Sequence, residues 1–270
     1  MDKIRRVERV IAITKLLADK PYHLFPLADF SDLFAAAKST VSEDLLTIKQ
    51  SLAHFGLGTL ETVAGASGGV RFIPFRQGTH ANTVLTEIAA RLSAADRVIA
   101  GGFLYMSDIL FDAHLVVQLG EILMTRFSSL EPDYIMTVET KGIPLAMMVA
   151  RAFNKPLVIV RRGSKVTEGS SVSINYVTGS SKRIQTMSLP KRAIHPGSNV
   201  LIIDDFMKAG GTAKGMIDLA REVGGVVVGT GVLVATADPA PKLVEDFTAL
   251  LILHEVDERT RNVVIRPVLD

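Results

Sequence analysis

A chain of 270 residues, 48% hydrophobic and 21% charged, has the balance of a globular protein with one large or two smaller domains, which excludes extended disorder. It contains no cysteine, which removes disulfides, thiolate metal sites and cysteine nucleophiles and fits a cytoplasmic location. A formal net charge of +2 does not by itself announce nucleic acid, so the placement of charge has to be followed along the chain. The residues up to Arg9 are charged and lack an apolar core with a cleavage site, so no secretion signal is expected. No apolar run is long enough to span a bilayer, and no membrane partner is expected.

Residues 4–19 set Ile4, Val7, Val10, Ile11, Ile13, Leu16 and Leu17 against Arg5, Arg6, Glu8, Arg9 and Lys15, which predicts an amphipathic helix with a basic start. Pro21 ends it. A second helix is predicted over 26–36, with Leu27, Phe30, Leu33 and Phe34 inward. Ser39 is the expected cap of a third, in which Val41, Leu45, Ile48 and Leu52 keep helical spacing to about residue 54. Residues 57–63 and 70–74 read as two strands joined by a glycine-rich turn. Three helices and a glycine-tipped hairpin are the order of a winged helix-turn-helix, and a small helical cap or dimerisation module fits the same order. In the first reading Lys38, Ser39, Thr40 and Ser42 sit at the groove-facing end of the third helix, while Arg5, Arg6, Lys49 and Arg71 meet phosphate. Asp29, Asp32, Glu43 and Asp44 dilute the basic field.

Residues 76–82 look like a linker, so a domain of residues 1–75 is expected to precede one of residues 76–270. Helices are predicted over 83–92 and 106–127, and strand–helix alternation then begins. Strands are predicted at 134–138, 156–161, 200–203, 226–234 and 249–253, with helices at 144–153 and 213–223 and a last strand over 262–268. Short turns between alternating strands and helices predict a parallel sheet covered on both faces. The six histidines show no ligand spacing, so no metal site is assigned.

The most informative stretch is Val200-Leu201-Ile202-Ile203-Asp204-Asp205-Phe206-Met207-Lys208-Ala209-Gly210-Gly211-Thr212. Four apolar β-formers end in two acids and pass through a small-residue turn into a helix start. Ionised acids only accept hydrogen bonds, which suits sugar hydroxyls, or hydroxyls together with a metal. Backbone N–H groups of residues 209–212 at a helix N-terminus, with the Thr212 hydroxyl, suit a phosphate. A sugar phosphate satisfies both halves. The run resembles the phosphoribosyl pyrophosphate (PRPP) motif of type I phosphoribosyltransferases, in which the acids hold the ribose hydroxyls and the turn holds the 5′-phosphate. In the same way Glu139-Thr140-Lys141-Gly142-Ile143-Pro144 resembles the pyrophosphate loop of the adenine and xanthine enzymes, with Glu139 where some relatives have a small residue. Arg161, Arg162 and Lys165 resemble the cations that those enzymes turn toward pyrophosphate. Phe206 is placed either to stack on a base or to plug a gap between loops; Lys208 projects beside it, and Tyr105 is a second base-side candidate. Residues 170–181 form a long polar stretch that either covers the site or is simply solvated.

Two functions remain open on the residues alone, a purine phosphoribosyltransferase with an added N-terminal module and a regulator that keeps the pocket as a sensor. The whole chain, through Ser39 to Leu45, residues 165–170 and 173–177, and Asp204 to Thr212, resembles the bacterial purine-operon regulators. That resemblance implies an α/β protein with an N-terminal winged helix-turn-helix and a type I phosphoribosyltransferase-like parallel-sheet domain. It implies a homodimer on double-stranded operator DNA, PRPP as effector with magnesium as its companion, the guanine alarmone ppGpp as competitor, no required cofactor and no catalytic residue.

Overall fold

The computed structural model describes residues 4–65, 68–163, 169–177 and 184–270, which form two compact units, the first running to Arg76 and including Arg151–Asn154, the second comprising Gln77–Ala150 and Lys155–Asp270. The first unit contains α1 (Arg6–Asp19), α2 (Leu27–Phe34), α3 (Lys38–His54), β1 (Thr59–Val63) and β2 (Gly69–Ile73). Helical spacing puts Ile13 and Leu17 of α1, Phe30 of α2 and Val41, Leu45 and Ile48 of α3 on inward faces. They meet Leu60, Val70 and Phe72 of the strands in one core. The strands pair antiparallel, Thr59 opposite Ile73, and Phe25 bridges Val70 on the other side of β2. A Cβ on Gly69 would lie 2.3 Å from the Phe25 carbonyl oxygen, so this approach requires glycine. The result is the helix-helix-helix-hairpin order of a winged helix-turn-helix. One detail differs from expectation: Ala37, not Ser39, stands at the N-cap of α3, and Ser39 lies inside its first turn.

The second unit opens with α4 (Gly78–Leu92), a 3-10 turn (Ala95–Arg97), a hairpin of β3 (Val98–Ile99) and β4 (Phe103–Leu104), α5 (Ser107–Leu110) and α6 (Ala113–Arg126). There follow β5 (Tyr134–Val138), α7 (Gly142–Phe153), β6 (Leu157–Val160), β7 (Ser171–Val177) and β8 (Ile184–Pro190). The chain ends with β9 (Asn199–Met207), α8 (Gly211–Glu222), β10 (Val226–Thr236), β11 (Thr248–Asp257) and β12 (Asn262–Pro267). Six strands form one sheet in the order β12-β11-β10-β9-β5-β6, parallel except at the β11–β12 edge, while β7 and β8 pair as a separate hairpin. Side chains alternate along β9. Val200 and Ile202 join Met216, Leu219 and Ala220 of α8 in one core cluster. Ile203 turns to the opposite face, where Phe127 packs so closely that a Cβ on Gly231 would lie 2.7 Å from its ring and 3.0 Å from Ile203. Both faces are covered, which is why the strand reads as an unbroken apolar run.

Several expected boundaries move, each through a partner distant in sequence or a cap inside a periodic stretch. Most of the expected linker is helix, because the Asp270 carboxylate accepts the Gly78 N–H at 3.0 Å and the Asp270 N–H donates to Asn82 Oδ1 at 3.2 Å. The single helix expected over 106–127 is two, because Asp112 accepts the N–H groups of His114 and Leu115 at 2.9 and 3.0 Å and starts α6 afresh. The expected covering loop is a strand over Ser171–Val177; its continuation, residues 178–181, lies outside the described residues.

One buried charge ties the first unit together. Asp44 of α3 is fully buried and accepts from Arg6 Nε at 3.1 Å and Arg9 Nε at 2.8 Å, both on α1. Asp44→Ala leaves the largely buried Arg9 without its counter-charge and should destabilise the first unit by about 3 kcal/mol. A thermal or urea melt checks this, with the exposed Leu46→Ala as the control expected to melt like the wild type.

Candidate functional site

β9 carries its apolar run straight into the two acids. Asp204, only 4% exposed, takes the same face of the strand as Ile202, and the half-buried Asp205 takes the other. Around Asp204 the protein is tight: a Cβ on Gly142 would lie 2.5 Å from the Thr137 hydroxyl oxygen and 2.9 Å from Asp204 Oδ1. The Thr137 hydroxyl is buried and has no hydrogen-bond partner among the described residues. Burial pushes the Asp204 carboxyl well above the ordinary carboxylate range, and the neighbouring Asp205 charge pushes it further. The Asp205 N–H donates to Asp204 Oδ1 at 2.9 Å and opposes that rise.

After Met207 the chain turns through Lys208 and Ala209 to Gly210, whose φ of +84° is left-handed and suits glycine at the N-cap of α8. No side chain caps this helix, and the first N–H to find an acceptor inside it is that of Lys214, on the Gly210 carbonyl at 2.8 Å. The N–H groups of Gly211, Thr212 and Ala213 therefore have no acceptor within the helix. Every residue from Asp204 to Ala213 lines a cavity of about 690 Å³, the size of a small-molecule site.

Lys141 from the loop after β5 and Arg162 from the end of β6 supply positive charge to the same cavity, with Lys208. Not every expected residue lies there. Arg161 turns instead to Glu139 at 3.3 Å, and its backbone pairs with Ser188, so its guanidinium is engaged by a carboxylate. The Arg162 N–H donates to the same carboxylate at 2.6 Å. Glu139 thus anchors the end of β6. Thr140 is exposed and does not line the cavity, and Gly142 contributes by close approach to Asp204. Tyr105 points its ring toward the Arg97 guanidinium, 5.8 Å away, while its neighbours Phe103, Leu104 and Met106 line the cavity. Phe206 lines it as well. Lys165 lies outside the described residues.

Tyr176 and Gln185 of the β7–β8 hairpin also reach the cavity and escaped sequence reasoning. The Tyr176 hydroxyl donates to Gln185 Oε1 at 2.8 Å, and burial raises its pKa above the ordinary tyrosine value while Arg162 pulls it down. Gly215 of α8 lets the hairpin lie close, since a Cβ there would meet Tyr176 at 3.2 Å and Met187 at 3.1 Å. The alternation of Ile174 and Tyr176 with Ser173 and Asn175 was the available signal for a strand. Thr236 of β10, Asp238 just after it, and His254 and Glu255 of β11 line another part of the wall.

In the first unit, Lys38, Ser39, Ser42 and Lys49 are all exposed along one face of α3, with Thr40 half-buried beside them. The α3 N-terminus has no side-chain cap, so its first amides suit a phosphate oxygen. Other expected phosphate contacts have internal partners. Arg6 is held by Asp44 and donates to Thr47 Oγ1 at 2.9 Å. Arg71 pairs with Glu61 at 2.7 Å and lies over the Tyr22 ring at 5.0 Å. Arg5 is exposed, its N–H donating to the Glu8 carboxylate at 2.7 Å.

Comparison with known proteins gives each unit a relative. Residues 5–74 match the family described as bacterial purine repressor, N-terminal, and residues 108–264 match the phosphoribosyl transferase domain. The purine biosynthesis transcriptional repressor PurR of Bacillus subtilis is 46% identical over 264 residues, covering 98% of this chain and 93% of that protein. The purine biosynthesis transcriptional activator PurR of Lactococcus lactis subsp. lactis is 37% identical over 263 residues, covering 97% of each. Among solved structures, adenine phosphoribosyltransferase from Rhodothermus marinus superposes with a TM-score of 0.52 at 26% identity, over 62% of this chain and 97% of the enzyme.

The acidic pair makes a test of its own. Because folding raises the Asp204 pKa, the folded state favours the neutral acid, and stability falls as pH rises from the ordinary carboxylate range through the raised value. Asp204→Asn retains an oxygen for the Asp205 N–H and loses the charge. Its thermal midpoint should exceed that of the wild type at about pH 7.5, with the difference closing near about pH 3.5. A variant that melts below the wild type at the higher pH would show that Asp204 is comfortably ionised in the empty site.

Proposed function

The chain belongs to the PurR family of bacterial purine biosynthesis transcriptional regulators, and on that premise we propose that its second unit senses PRPP without performing transferase chemistry. It is a transcription regulator with a DNA-binding unit and a phosphoribosyltransferase-like domain. The observation that carries the sensing proposal is the meeting, in one cavity, of Asp204 and Asp205 with the uncapped start of α8. Ribose hydroxyls would donate to the acids, the 5′-phosphate would take the amides of residues 209–212, and the diphosphate would lie toward Lys141 and Arg162. Among the described residues no group of three or more His, Asp or Glu gathers to hold a metal, so magnesium would arrive on the diphosphate, with the two acids within reach of it. The alarmone ppGpp carries a ribose and two diphosphates and would compete for the same groups.

The first unit would place α3 in the major groove of an operator upstream of purine biosynthesis and salvage genes, in a cytoplasmic homodimer that reads paired sites. No helix among the described residues is long and apolar enough to cross a membrane. The sign of regulation stays open in this proposal, since one relative is named a repressor and another an activator. The second reading, an active transferase, is favoured by the cavity itself, which keeps both the acids and the phosphate turn.

Titrating PRPP alongside an assay for consumption of adenine, guanine, hypoxanthine or xanthine separates the two. Saturable PRPP binding with no nucleotide formed is expected, and turnover of any base at an ordinary enzymatic rate favours the transferase. Replacing Asp204 and Asp205 together by alanine should cut PRPP affinity by at least about tenfold while leaving operator affinity without PRPP unchanged, so that PRPP no longer alters operator binding. Replacing Lys38 and Lys49 by alanine should weaken operator binding and reduce its log-log salt slope by roughly 1 for each phosphate that is no longer neutralised. Unchanged operator affinity in that variant removes the α3 face from the DNA interface.

A further inference from the structure

A turn that presents amides to an anion leaves carbonyl groups on its other side, and those need donors from elsewhere. The turn after β9 has identifiable ones. Lys242 Nζ donates to the Lys208 carbonyl at 2.5 Å, and the Leu243 N–H donates to the Ala209 carbonyl at 2.9 Å. The same ammonium donates to the Pro239 carbonyl and to Thr236 Oγ1, each at 3.3 Å. The Thr236 hydroxyl lies 3.3 Å from the Lys208 carbonyl oxygen and 2.5 Å from that of Asp238. The two segments are in contact, for a Cβ on Gly210 would lie 3.4 Å from the backbone nitrogens of Leu243 and Val244. The segment after β10 is thus laid against the turn, with one ammonium at the junction.

We propose that Lys242, assisted by Thr236, is a positioning residue for the phosphate half of the effector site: it fixes the Lys208 carbonyl so that the Ala209 N–H, first of the amides of residues 209–212, stays turned toward the anion. This rests on the reading that the cavity takes PRPP. A carbonyl and the N–H of the following residue share one rigid peptide plane, so fixing the Lys208 oxygen orients the Ala209 N–H. A lysine suits the position because its ammonium has three donors, and three acceptors converge on it here. Burial lowers the Lys242 pKa below the ordinary lysine value, with Asp238 opposing the shift. The neighbouring anchor, Leu243 N–H to Ala209, is backbone only and would survive any change of side chain.

The test divides the effector into its two ends. Ribose 5-phosphate and inorganic pyrophosphate are titrated separately into the full chain by calorimetry, for the wild type, Lys242→Met, Lys242→Arg and Thr236→Val. Lys242→Met keeps the stem and removes the donors; it should bind ribose 5-phosphate about tenfold more weakly and pyrophosphate within about twofold of wild type. Lys242→Arg should recover most of the loss, and Thr236→Val should lose about threefold on ribose 5-phosphate. Equal ribose 5-phosphate affinity in wild type and Lys242→Met overturns the proposal. So does a proportionate loss for both ligands, which marks general loosening. If Lys242→Met fails to fold, Thr236→Val decides, and wild-type affinity there overturns the proposal. A wild-type protein that binds neither ligand overturns the PRPP reading and this inference with it, a result distinct from a loss confined to the variants.

Discussion

β9 lies between β10, which follows it in the chain, and β5, which precedes it. The connections leaving the carboxyl ends of β9 and β5 therefore diverge to opposite sides, and a crevice opens between them. Asp204 and Asp205 stand at the end of one strand and Lys141 just beyond the end of the other, so acids and cations come to one cavity from a single topological feature. The constraint is also energetic. Four apolar residues hold β9 between two packed faces, so Asp204 cannot swing out into water and keeps a desolvated position beside a second acid. Everything else at the site works around that fixed pair.

The acids, the glycines and Thr212 were legible in the sequence because strand, turn and helix start are local, and the thirteen residues from Val200 to Thr212 carry the whole pattern. The parts that escaped reading depend on partners far away in the chain. Tyr176 reaches the cavity only because β7 pairs with β8 and Gly215 leaves room for it on α8. Lys242 looks like one more loop lysine until β10 and the turn after β9 are brought side by side. Gly78 begins a helix because Asp270, 192 residues on, accepts its N–H. Arg161 reads as a ligand for pyrophosphate from its place in a cationic run, and nothing local announces that Glu139, across the β5–β6 pair, takes hold of it. Tertiary pairing decides such residues, and one sequence does not display it.

The first unit teaches the same distinction through charge. Periodicity on α3 separates Val41, Leu45 and Ile48 inward from Lys38, Ser42 and Lys49 outward, but it counts Asp44 with the acids that dilute the basic field, whereas Asp44 is buried with the core. It does not say that a buried aspartate needs two arginines from α1, which takes Arg6 and Arg9 into the structure of the unit. Basic residues counted along a helix thus overstate what is left for a phosphate backbone. On the proposed reading, the contribution of α3 would rest instead on its two lysines, its hydroxyls and its uncapped amide end.

The buried position of Asp204 carries a further consequence. With its pKa raised, Asp204 in the empty pocket keeps its proton to a higher pH than an exposed carboxylate would. A ligand whose hydroxyls donate to Asp204 favours the ionised acid, because hydrogen bonds to the charged form lower its pKa. Filling the site would then expel the proton, and occupancy would be linked to the acidity of the medium as well as to the supply of effector. Acidification would act as a competitor with no shape of its own, emptying the pocket without touching the α3 face.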